Sequence, residues 1–79
     1  MNNVMKKTWT GLTVRQEMLI AVVYILRSNP TFTVREALAS VVDGAKEGTI
    51  AKEIELYAND MSDAAWKRFK LQAIKAAAR

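Results

Sequence analysis

The side chains with which this sequence could do chemistry are carboxylates, hydroxyls and lysines, because its 79 residues include no histidine and no cysteine. The commonest general base and the best thiol nucleophile are therefore missing. Catalysis would need two or more of the remaining groups held together, one activating another, and no constellation of that kind is visible along the chain. A thiolate or imidazole metal site is excluded on the same ground, and no disulfide can form. Gly11, Gly44 and Gly48 stand too far apart to make a phosphate-cradling loop. The expectation is a protein that is not an enzyme, holds no cofactor or metal, and acts by binding.

Charged and aromatic residues are the candidates for that binding. Twelve Lys and Arg against eight Asp and Glu give a formal charge of +4, which permits a nucleic-acid partner without demanding one. Acids gather at Glu47, Glu53 and Glu55, and cations at Lys67, Arg68 and Lys70. The basic group can meet phosphate or an acidic protein surface, or can be a solvated helix end matched to the helix dipole. Trp9 stands outside any helical pattern, and tryptophan is over-represented among interface hot spots, although packing on the chain's own core would equally account for it.

These residues need elements to position them. Residues 1–11 have no hydrophobic period and read as a flexible N-terminal arm, leaving residues 12–79 as one helical domain. Thr13 with Gln16, and Thr33 with Glu36, have the spacing of capping boxes, so two helices open alike, and the segment Leu12 to Gln16 is echoed by Phe32 to Glu36. Shared cap chemistry explains the echo without an ancestral repeat. The first helix should end near Ser28, ahead of Asn29 and Pro30, and the second at Asp43 and Gly44, with Leu38, Val41 and Val42 as its buried stripe. Ile50, Ile54 and Tyr57 with Ala51 and Ala58 predict a third helix. Ser62 caps a fourth, with Met61 and Trp66 spaced as a hydrophobic staple and Trp66, Phe69, Ala73 and Ala77 along one face, Ile74 beside it. The fold class is all-α: a compact bundle of about four helices joined by connections of about four to six residues.

The first helix is the most informative, since Met18 to Leu26 is apolar without a break. That run is about half of the roughly 20 residues a membrane span needs, and no small-residue cleavage site follows it, so neither a membrane partner nor export is expected. A helix apolar on every side is either wrapped by the rest of the chain or shared with another molecule. With so few other helical residues to wrap it, the expectation is a homodimer through Leu19, Val22, Val23 and Leu26, each Å² of apolar area buried contributing about 25 cal/mol.

Residues 33–58 also resemble a helix-turn-helix hairpin, the fold unit of many bacterial DNA-binding regulators. The turn is longer than the usual three or four residues, and Asp43 takes a place where an apolar residue or glycine is expected. The second helix would present Glu47, Lys52, Glu53 and Glu55 to phosphates, a net negative face. Direct DNA binding through Lys46, Thr49 and Lys52 is the alternative to a protein partner.

In length, lack of cysteine, mild basicity and helical character over the whole chain, the sequence resembles the small antirepressors of temperate phages. No motif carries binding residues across. The resemblance implies sequestration in the cytoplasm of a bacterial host: the small protein binds a DNA-binding repressor, masks its DNA-reading surface and releases transcription. Glu47, Glu53, Glu55 and Asp60 would then stand in for phosphate. An inhibitor of a host nuclease or defence complex would use the same surfaces.

Overall fold

The structure, a computed structural model, describes residues 11–78; the expected arm, apart from Gly11, and Trp9 within it lie outside the described residues. Four helices run in the order α1 (Val14–Ser28), α2 (Val34–Val42), α3 (Ile50–Asn59) and α4 (Asp63–Ala77), with no strand among the described residues. The all-α bundle expected from the sequence is observed.

Each helix starts where a hydroxyl can accept a free backbone N–H. The Gln16 N–H donates to Thr13 Oγ1 at 3.1 Å while the Thr13 N–H donates to Gln16 Oε1 at 2.8 Å, and Thr33 with Glu36 repeats the exchange at 3.1 and 2.7 Å. Ser62 Oγ accepts from the Ala65 N–H at 3.1 Å. Thr49, which has no Glu or Gln three residues on to complete a box, still accepts from the Lys52 N–H at 3.3 Å. Its own hydroxyl donates to the Lys46 carbonyl at 2.6 Å, which folds the end of the turn back on itself. α2 stops at Asp43 because Gly44 follows with φ +74°, a conformation that side chains with a Cβ rarely adopt. The connections are residues 29–33, 43–49 and 60–62, so the central one is longer, and the last shorter, than the sequence suggested.

α1 is the hub, touching α2, α3 and α4, whereas α3 and α4 hardly meet. It buries Val14, Met18, Val22 and Leu26, a row spaced four residues apart along one face. Against that row lie Val34 and Ala37 of α2, Ile54 of α3, and Phe69 and Ala73 of α4. In α2, burial falls off along the helix: Val34 and Ala37 are enclosed, whereas the expected stripe of Leu38, Val41 and Val42 is only half-buried as the chain moves outward to the long turn.

The echoed segments do more than cap. Val14 and Val34, each the first helical residue after its threonine, are both in the core. Arg15 and Arg35, next along, each lay a guanidinium over an aromatic ring of α4: Arg15 lies 5.6 Å from the Phe69 centroid and Arg35 lies 4.5 Å from that of Trp66. Those two rings stack on one another, centroids 5.7 Å apart. Arg15 also donates to Gln72 Oε1 at 2.7 Å. The same short segment, used twice, clasps one aromatic pair.

Truncating the fully buried Phe69 to Ala should cost about 3–5 kcal/mol, and Thr33→Ala about 1 kcal/mol through loss of the cap. A double-mutant cycle on Arg35 and Trp66 should return a coupling of about 0.5–1 kcal/mol. Urea unfolding of the variants checks all three, and a Phe69→Ala protein as stable as the parent would contradict the core described here.

Candidate interaction site

α1 does not vanish into the core. Its buried row leaves the opposite side of the helix facing out, and there Ile20 is 56% and Tyr24 70% exposed. Leu19 and Val23, one residue back from each, flank them and are half-buried. Together with Arg27 and with Ala76 from α4 these residues line an open groove of about 380 Å³ along the α1/α4 seam. An Arg27 N–H donates to the Ala76 carbonyl at 3.0 Å, satisfying one of the carbonyls that the last turn of α4 leaves without a helical partner and placing a cation at the negative end of its dipole. The groove is mostly apolar and has a fixed guanidinium at its rim, a composition suited to side-chain packing.

The residues expected at an oligomer interface divide here. Leu19 and Val23 reach the groove, but Val22 is fully buried and Leu26 8% exposed, both inside the chain's own core. The surface that α1 leaves open is therefore made by Leu19, Ile20, Val23 and Tyr24. Composition could not separate the two sets, because all of them are apolar; only the position of the buried row does.

The acidic residues divide as well. Lys52 Nζ lies 3.2 Å from Glu55 Oε1 and 3.5 Å from Glu47 Oε1, so one ammonium gathers two of the expected carboxylates. The hydrogen bond and charge of Glu55, then those of Glu47, raise the Lys52 pKa above its ordinary 10.5. Glu53, two residues before Glu55, falls on the other flank of α3, on the side of Asp60 seven residues on. The four acids do not form one strip. Lys67, Arg68 and Lys70 are all exposed on α4 and make no ion pair among the described residues.

A second concavity, about 110 Å³, lies where α2 meets the start of α4, lined by Arg35, Leu38, Asn59, Asp63 and the staple pair Met61 and Trp66. Trp66 Nε1 is buried, with no acceptor among the described residues. The sequence flagged the staple but gave no sign that the indole N–H would be left unpaired.

Among the described residues no group of three or more acidic side chains is placed to hold a metal ion, and no helix is long and apolar enough to cross a membrane. No family profile, curated protein or solved structure matches the chain.

The raised Lys52 pKa fixes the sign of a pH effect. The stabilisation it brings is complete below the ordinary lysine value of 10.5 and is lost as pH rises through the higher folded value. The difference in urea midpoint between the parent and Lys52→Gln should therefore be flat from neutrality to the lysine range and shrink above it; a difference that grows with alkalinity would contradict the ion-pair geometry.

Proposed function

We propose that this chain is a non-enzymatic regulator that works by protein contact, as a homodimer packed through the α1 groove face, and that its partner is a DNA-binding repressor which it sequesters. The observation that carries the reading is the apolar row of Ile20 and Tyr24, 56% and 70% exposed, beside half-buried Leu19 and Val23. Fully burying side chains of this kind is worth about 1.5–3 kcal/mol each, and tyrosine is favoured at contact hot spots. The carboxylates on both flanks of α3 support a basic partner, in keeping with the likeness to phage antirepressors. The helix-turn-helix alternative has less support: residues 43–49 make a turn of seven, and Lys52, its central cation, is already held by Glu47 and Glu55.

Ile20→Lys and Tyr24→Lys should leave the helical signal intact, because both side chains are exposed, and should convert the dimer to monomer in light scattering. Val22→Lys should instead unfold the chain. Affinity capture from a bacterial host should recover a DNA-binding protein, and the capture should weaken with rising salt. A parent protein that is monomeric at every concentration tested would remove the dimer. Sequence-specific mobility shifts of DNA by the pure chain, lost on changing Lys46, Thr49 or Lys52, would replace the reading with direct DNA binding, and recovery of a nuclease or defence complex would reassign the partner.

A further inference from the structure

The outward faces of α3 and α4 share one layout with opposite charge. On α4, Leu71 is 64% exposed, with Arg68 three residues before it, Lys70 one before and Lys75 four after. On α3, Leu56 is 52% exposed, with Glu53, Glu55 and Asp60 at those same three offsets. On a helix, offsets of −3 and +4 fall on one flank of the central residue and −1 on the other, the places that charged residues occupy beside the apolar seam where two helices pack. The α4 face is thus an exposed leucine bordered on both flanks by cations, with Ile74, 56% exposed, added to its seam. The α3 face has acids on both flanks but also Lys52, four residues before Leu56, paired with Glu55 at 3.2 Å, so its unpaired negative charge lies on the flank of Glu53 and Asp60.

Apart from Glu55, these charges form no ion pair among the described residues. The ion pairs among the described residues join Lys52 to Glu47 and Glu55 and involve none of Glu53, Asp60, Arg68, Lys70 and Lys75. Nor can the two faces meet in one molecule. α3 and α4 are joined through residues 60–62 and turn Ile54 and Phe69 toward the same core, so their outer faces point away from it. Two α4 faces would repel, as would two α3 faces, which leaves the unlike pairing between copies.

We infer that the α4 face of Arg68, Lys70, Leu71 and Lys75 docks on the α3 face of Glu53, Glu55, Leu56 and Asp60 in a second copy of this chain. The contact joins two different surfaces, so it is separate from a dimer built on α1 and does not rest on the function proposed above. With one or two apolar residues on each side, it is a weak association carried mainly by charge.

Sedimentation velocity of the purified full chain tests it. At roughly 0.05 M salt the weight-average sedimentation coefficient should climb with protein concentration, and in the Tyr24→Lys background, where the α1 contact is removed, the climb should disappear at roughly 0.5 M salt, where screening is much shorter-ranged. The triple variant Arg68→Glu, Lys70→Glu, Lys75→Glu should lose at least about tenfold in association constant, as should Glu53→Lys, Glu55→Lys, Asp60→Lys, with helical content unchanged in each. Mixing the two triple variants should restore association between them, since each then offers the charge that the other lacks. Tyr24→Lys, which addresses the α1 groove, should leave this salt-sensitive association in place. A parent protein showing no concentration dependence at low salt, or triple variants that associate as the parent does, would overturn the inference. So would failure of two folded triple variants to associate on mixing.

Discussion

The stacked rings of Trp66 and Phe69 are the point on which the bundle turns. Phe69 is fully buried against the α1 row, Trp66 lies against α2, and their contact fixes how α4 sits across both. Arg15 from α1 and Arg35 from α2 lie over the rings, so cations that would otherwise be solvated cover the aromatic surface with guanidinium and stem together. In a chain this short, with no disulfide to tie it, such use of long polar side chains as cover extends a core that the apolar residues alone would leave thin. The second concavity lies at this same ring: Trp66, covered by Arg35, lines it, and its indole N–H is enclosed without an acceptor among the described residues.

That economy explains why apolar surface remains on α1. Three helices must cover a hub whose residues 18–26 are apolar on every side, yet α3 and α4 hardly touch, so among the described residues nothing closes over the side of α1 that carries Ile20 and Tyr24. The hub is covered on the side of Met18 and Val22 and left open opposite them. Arg27, reaching to the last turn of α4, ties down the end of the groove without filling it.

The local signals were legible because they are local. A threonine three residues before Gln16 or Glu36, and a serine before α4, satisfy backbone donors within a single turn, and the helices begin at those residues in the structure. The glycine after Asp43 ends α2 for an equally short-range reason. What depends on long-range packing was less legible. In α1 the period that distinguishes inside from outside is missing, since Val22 and Ile20 are alike in type, so the burial of Val22 and the exposure of Ile20 are decided by neighbours far along the chain. The echo between Leu12 to Gln16 and Phe32 to Glu36 was readable as cap chemistry, but the shared arginine that follows each buried valine acquires its meaning only once α4 is in place. The acids in and just before α3 were legible as a group and not as a geometry: Glu47 from the turn and Glu55 from α3 converge on Lys52, and Glu53 leaves on the other flank.

The open surfaces differ in the physics by which they would bind. The α1 groove is apolar, so association there is driven by removing area from water, strengthens little on dilution of salt, and demands a partner of matching shape. The outer faces of α3 and α4 offer little apolar area bordered by charge, net acidic on α3 and basic on α4, so association there is steered by complementary potential, fades as ions screen it, and tolerates looser fit. A protein whose inner row is spent on its own core and whose outer rows are of these two kinds can hold one neighbour by hydrophobic contact while recruiting another by charge. The two contacts need not compete, because Ile20 and Tyr24 lie on α1 whereas the charged seams lie on helices that pack around it.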